Sequence, residues 1–190
     1  MNSRSIGLLF LLISAVATAK DKRDSVTPRM RYSNVALSFS YLPPGEMLDK
    51  TQRVRAEVQA RAESSHTKDA LEALLAMSSG QDDAATNWHS LTLETYPRNA
   101  VADVDDTVAE AKMSAWVAHS QETHPVSRFV VISGQSFAVS IFGVQEGPIK
   151  KGAVVWTTIR KGKLLSFAFV ANSPQQLMKL AETMKTVEFF

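Results

Sequence analysis

Between Val35 and Tyr41 apolar and polar residues alternate, with Val35, Leu37, Phe39 and Tyr41 against Ala36, Ser38 and Ser40. That is the period of a half-buried strand, and Pro43-Pro44-Gly45 ends it. From Glu46 to about Glu63 the period lengthens. Met47, Val54, Val58 and Ala62 recur at helical spacings and Arg53, Arg55, Glu57 and Arg61 fall elsewhere, which predicts a weakly amphipathic surface helix. Asp69 to Ser78 is open. Leu71, Leu74 and Leu75 among alanines suit a helix by propensity, and Leu74 to Ser78 equally suits a short buried strand before the turn at Gly80-Gln81-Asp82-Asp83. Trp88 to Tyr96 alternates again and stops at Pro97.

Further on, Asp103 fits a helix N-cap, with Asp105 and Asp106 in a first turn where negative charge suits the dipole. The helix runs to about Ser120, and His124-Pro125 marks its exit. Arg128–Ile132 and Ser136–Phe142 flank Ser133-Gly134-Gln135 as a hairpin. Ala153–Arg160 and Lys163–Ala171 flank the two-residue loop Lys161-Gly162, where the glycine accepts a positive φ. Ser173 reads as the N-cap of a last helix, with Pro174 at its first position and Gln176 completing a capping box. Leu177, Leu180, Ala181 and Met184 form its apolar stripe, and Val187, Phe189 and Phe190 form a short strand or plug.

The N-terminus has a different pattern. A positive start at Arg4 precedes an almost unbroken apolar run from Ile6 to Ala17, then Ala17-Thr18-Ala19 and the charged Lys20-Asp21-Lys22-Arg23-Asp24. These are the parts of a secretory signal peptide with cleavage after Ala19. The run is shorter than the roughly 20 apolar residues of a membrane span. The expected organisation is a signal peptide over 1–19, a flexible, mostly basic leader over 20–31 and one domain over 32–190. The exported chain is then periplasmic or secreted, with no transmembrane span after cleavage.

Composition narrows the chemistry. The chain has no cysteine, which excludes disulfides, thiolate metal sites, a cysteine nucleophile and a lipidated-cysteine anchor. Of 190 residues, 171 remain once 19 are removed, enough for one domain with a real core. Setting Arg4 aside leaves 20 Lys and Arg against 19 Asp and Glu. So balanced a chain carries no global field for nucleic acid or membrane, despite its pI of 8.9.

No catalytic motif emerges. His66, His89, His119 and His124 match no zinc spacing. Ser133-Gly134-Gln135-Ser136 precedes a strand, whereas a nucleophile elbow precedes a helix. Asp103, Asp105 and Asp106 lack the glycine and distal Glu of a calcium loop. Trp88, Trp116 and Trp156 lie in regular elements and read as core. The feature with functional promise is basic: Lys150, Lys151, Arg160, Lys161 and Lys163 around one hairpin, a candidate patch for docking an anionic head group, a glycan or an acidic partner, with edge protection as the competing explanation.

The stretch Tyr32-Ser33-Asn34-Val35-Ala36-Leu37-Ser38-Phe39-Ser40-Tyr41-Leu42-Pro43-Pro44-Gly45 resembles the Tyr-x-Asn-x-x-Leu-x-Phe-x-Phe-x-Pro-x-Gly opening of the Mog1/PsbP-like domain family. The ending is similar too, with Ser166-Phe167-Ala168-Phe169, a Ser-Pro-started helix and Met184-Lys185-Thr186-Val187-Glu188-Phe189. One position departs: a glycine is usual where Ser38 stands. The resemblance implies an α+β fold, a central antiparallel β-sheet flanked by helices on both faces (an α/β/α sandwich). It favours the strand reading of Leu74 to Ser78. It implies no catalytic machinery and no cofactor, because the fold hosts unrelated binding roles. The expected function is that of an exported non-enzymatic domain that binds or assists an envelope protein partner. The alternatives are a small-ligand carrier, with its pocket between sheet and helix, and an enzyme with a dispersed site.

Overall fold

The computed structural model describes residues 30–65, 72–97, 126–146 and 149–190. The signal peptide, the leader up to residue 29, the helix expected from Asp103, and His66, His119, His124 and Trp116 lie outside the described residues.

Described strands and helices follow in the order β1 (Tyr32–Asn34), β2 (Phe39–Tyr41), β3 (Leu48–Asp49), α1 (Thr51–Ser65), β4 (Glu72–Ser78), β5 (His89–Pro97), β6 (Val126–Ile132), β7 (Gln135–Glu146), β8 (Ile149–Arg160), β9 (Lys163–Ala171), α2 (Pro174–Glu182) and β10 (Glu188–Phe189), with a 3-10 turn over Thr183–Thr186 after α2. Seven strands form one antiparallel sheet in the order β3-β4-β5-β9-β8-β7-β6, and three form a small sheet, β1-β2-β10. The sheet is built from hairpins. Lys161-Gly162 and Ser133-Gly134 are its tight two-residue turns, with positive φ at all four residues (49°, 74°, 49° and 76°), the backbone that such turns require. Leu74 to Ser78 is strand, as the resemblance favours, and the strand starts two residues earlier at Glu72.

The small sheet and α2 cover the face of the large sheet that carries Leu91, Leu93, Phe137, Val139, Val154, Trp156, Phe167 and Phe169. Phe39 and Tyr41 from β2 meet Phe167 edge-on at centroid distances of 5.8 and 5.5 Å, and Phe137 meets Trp156 in the same way at 6.2 Å. Gly152 lets α2 close on β8: a Cβ there would stand 2.8 Å from Leu177 Cδ2.

α1 packs on β4, where Val54 and Val58 meet Ala73 and Ala76. Thr51 fixes its start, accepting from the Ala76 amide at 3.0 Å, while Asp49 Oδ1 accepts the Thr51 amide at 2.8 Å. The β4–β5 register shifts between Ala73 and Leu75. The irregularity strains the ladder's hydrogen bonding, and Arg55 donates to the carbonyls of Ala73 (2.8 Å) and Leu74 (3.2 Å) beside it.

Three expectations are corrected. Val35–Tyr41 is not one strand. Asn34 Oδ1 accepts the Leu37 amide at 2.9 Å and the Ser38 amide reaches Val35 O at 3.1 Å, so 35–38 form a turn between β1 and β2, with Val35 80 % exposed. The first helix begins at Thr51 instead of Glu46, because Met47 is buried in the core and Leu48–Asp49 pair with β4. Ser173 occupies the N-cap position before Pro174, yet its side chain makes no cap hydrogen bond, so the capping box does not form.

Candidate functional site

The five basic residues of the expected patch do not come together. Lys150 and Lys151 lie at one end of β8, Arg160 at the other. Nine strand steps of about 3.3 Å put about 30 Å between Lys151 and Arg160. A hairpin written compactly in sequence is two long strands in space.

Lys151 is also turned inward. Its Nζ stands 3.1 Å from Asp83 Oδ2 and 4.9 Å from the centroid of the Trp88 ring. Asn172 holds the same loop through Nδ2 bonds to the carbonyls of Asp83 (2.6 Å) and Ala85 (2.8 Å). This cation fastens the β4–β5 loop. Lys50, Arg53, Ser78, Asp83 and Trp88 line a shallow cleft beside it, of about 320 Å³ including space open to solvent. Its interior has room for little more than one water molecule, well short of an ordinary ligand pocket.

Arg160, half-buried, is likewise engaged within the molecule. Its guanidinium donates to Leu37 O (3.2 Å), Ser38 O (3.1 Å) and Phe190 O (3.4 Å), and lies 4.8 Å from the Phe189 centroid. Lys161 at the turn and Lys163 beside it remain on the surface, with Lys163 3.7 Å from Glu72.

The pattern of residue types hid two features. On the sheet face opposite the main core, Glu94, Ser166 and Thr157 stand side by side across β5, β9 and β8, and are 1 %, 0 % and 3 % exposed. Neither Glu94 nor Ser166 is without a partner. Alternation sets Glu94 with Trp88, Ser90 and Thr92 opposite Leu91 and Leu93, but alternation cannot say that its face is covered. The second feature is β6. It ends the large sheet, and β7 is its one neighbour among the described residues. Phe129 and Val131 project from one face of it, 58 % and 69 % exposed. Their β-rich run was legible; their exposure was not.

Among the described residues no group of His, Asp and Glu is placed to hold a metal ion, and no helix is long and apolar enough to cross a membrane.

No family model matches the sequence, and no curated protein matches it. Solved structures do. The solution structure of cyanobacterial PsbP (CyanoP) from Synechocystis sp. PCC 6803 aligns over 85 % of this chain and 92 % of its own, at 10 % identity and a TM-score of 0.51. The fold is PsbP-like. Two further structures align with less of their shape: a protein of Bacteroides thetaiotaomicron (12 % identity, 87 % of this chain and 47 % of that one, TM-score 0.40), and LpqN of Mycobacterium tuberculosis, described as involved in cell envelope biogenesis (10 % identity, 64 % and 79 %, TM-score 0.38). At such identities the PsbP-like likeness speaks for the fold and carries no role across.

Proposed function

We propose that this PsbP-like chain is an exported, non-enzymatic accessory domain of the cell envelope, with helices on both faces of its sheet, and that it binds an extended segment of a protein partner along β6. The observation that carries this reading is the exposed apolar pair Phe129 and Val131 on a strand at the edge of the sheet. An edge of this kind invites pairing. The seven residues of β6 include one charge, Arg128, and no Lys or Pro to discourage it. An added strand would supply backbone hydrogen bonds, and alternate side chains of the partner would cover Phe129 and Val131. The N-terminal signal pattern supports an envelope location.

The test is photo-crosslinking in the native envelope, with the reactive residue at position 129, at 131 and, as a control, at Met178, which is 67 % exposed on α2. One adduct of a single partner at 129 and 131 and not at 178, with the adduct at 129 lost in a Val131→Asp background, is the expected result. An adduct of twice the chain's own mass makes the occupant a second copy and overturns the reading. A second reading, a ligand carrier or dispersed-site enzyme, rests on the buried row Glu94, Ser166 and Thr157. It requires a small molecule whose binding Glu94→Gln abolishes.

A further inference from the structure

We propose that β6 takes its partner as an antiparallel strand added to the sheet, in the register that sets an aromatic side chain opposite Val131 and, two residues later, a β-branched one opposite Phe129. The proposal rests on β6 being the docking edge, and it names the class of segment that fits there: extended, with the pattern aromatic-x-β-branched.

The β6–β7 pairing decides which backbone groups are open. Ser133 and Gly134 have φ of 49° and 76°, the two-residue turn in which both central residues are left-handed, and such a turn closes on a pair that exchanges both hydrogen bonds. That pair is Ile132 and Gln135. Bonded and non-bonded pairs alternate along an antiparallel ladder, so Val130 and Arg128, opposite Phe137 and Val139, also bond to β7. Val131, Phe129 and Ser127, opposite Ser136, Ala138 and Ser140, turn their N–H and C=O groups the other way, to the edge. Among the described residues no strand lies on that side. Two of these residues, Phe129 and Val131, are also the ones with exposed apolar side chains.

Open backbone donors and acceptors and apolar side chains therefore sit on the same residues, and one kind of occupant satisfies both. A helix or an acyl chain covers the side chains and leaves the backbone groups to water, whereas a strand takes both. Antiparallel pairing matches each outward residue of β6 with one residue directly opposite, which returns both hydrogen bonds. Parallel pairing spreads the same bonds over the residues flanking the opposite one, so it needs a longer segment, and it is slightly weaker. An antiparallel partner meets Val131 first and Phe129 two residues later, with both of its facing side chains on the Phe129 and Val131 face. Cross-strand pairs of an aromatic with a β-branched residue are favourable, which sets an aromatic against Val131 and a β-branched residue against Phe129. The residue between them falls on the other face, beside Val130, and its amide points away from β6.

The probes are the peptide Lys-Thr-Tyr-Thr-Val-Thr-Lys, capped at both ends, and two derivatives N-methylated at a single amide, that of the valine or that of the central threonine. Binding to the full chain is read by titration and by hydrogen exchange of the chain's own amides. In the free chain the Val130 and Ile132 amides should exchange slowly and those of Phe129 and Val131 fast, and the unmethylated peptide should slow the second pair. Methylating the valine amide, which points to β6, should weaken binding about tenfold or more, and methylating the threonine amide should leave it within about twofold. The methylated peptides change no residue of the chain, so the folding of a variant does not enter. Sensitivity at the threonine in place of the valine overturns the proposal, as does equal binding of all three peptides. If the envelope crosslinks at 129 and 131 form while the peptides bind equally, or do not bind up to millimolar concentration, the pairing mode fails and β6 stands as the docking edge. If the peptides fail and those crosslinks are absent too, the docking edge fails with it. Protection of Phe129 and Val131 that grows with protein concentration without peptide makes the occupant a second copy and overturns both.

Discussion

Lys151 and Asp83 form an ion pair, Nζ to Oδ2 at 3.1 Å, in which the lysine side chain is 2 % exposed and the aspartate 24 %. The two members do not carry equal risk. Removing the carboxylate strands a buried cation, whereas removing the ammonium leaves a carboxylate that water can still reach. Asp83→Asn should therefore cost about 2–4 kcal/mol, and Lys151→Met, which keeps an apolar stem against Trp88, about half of that. The double variant should recover much of the loss, because the unpaired charge has gone. Urea midpoints of the four proteins test this; strictly additive losses would contradict it.

Arg160 joins the 35–38 turn, β8 and the C-terminal strand, so its replacement should loosen one end of the molecule before the rest. Arg160→Lys keeps the charge but loses the planar fork that reaches three carbonyls. A loss of about 1–3 kcal/mol is expected. Hydrogen exchange should accelerate at the Ser38 and Phe190 amides while β5 and β9 stay protected. Uniform acceleration along the chain would show that Arg160 acts on global stability alone.

Ser38 occupies the position where glycine is usual in the resembling domains, and its φ is 51°. Left-handed backbone is costly for a residue with a Cβ. Ser38→Gly should stabilise by about 0.5–1 kcal/mol, equivalent to about 1–4 °C in melting temperature for a chain of this size. Gly162, at φ 74°, is the reverse case: Gly162→Val should destabilise by about 1–3 kcal/mol. An unchanged midpoint for both variants would refute the turn geometry at both sites.

Much of the fold was legible because local chemistry and tertiary environment agreed. Lys161-Gly162 and Ser133-Gly134 announce tight turns, and Leu177, Leu180 and Met184 face the core as their spacing requires. Periodicity misled at Val35, where the Asn34 side chain captures a backbone amide and bends the chain before the strand can begin. It was silent at 72–78, a run too short to separate helix from strand. The basic patch failed for a different reason. Neighbours in sequence at a hairpin's tip stay together, as Lys161 and Lys163 do, but residues at the two ends of a twelve-residue strand separate. Whether a lysine faces water or, like Lys151, an aspartate 68 positions away is a tertiary fact. The burial of Glu94 and the exposure of Phe129 depend in the same way on what packs over each face.

Ser173 tests the difference between a sequence motif and a formed contact. A working N-cap loses about 0.5–2 kcal/mol on truncation to alanine. Ser173 makes no such bond, so Ser173→Ala should cost under about 0.5 kcal/mol. Thr51 carries no cap signature in the sequence, yet it is 8 % exposed and its Oγ1 accepts from the Ala76 amide at 3.0 Å. Thr51→Val leaves that amide without its acceptor and should cost about 1–3 kcal/mol. Equal effects for the two would reverse the assignment.

Thr95 offers a last and sharper test, because its expected change is a gain. It is 2 % exposed on the core face of β5, beside Leu165 of β9, and among the described residues its Oγ1 finds no hydrogen-bond partner. A buried hydroxyl with no partner is destabilising, since it has given up water for nothing. Valine keeps the branched shape and the strand preference while replacing the hydroxyl with a methyl group. Thr95→Val should therefore raise stability by about 1 kcal/mol. The same variant bears on the ligand-carrier alternative. A hydroxyl kept to contact a bound small molecule stabilises the loaded protein, so the purified native protein would lose stability on the change and the refolded, ligand-free protein would gain. A gain in both preparations leaves the hydroxyl without a ligand role and removes the core face of β5 as a candidate pocket.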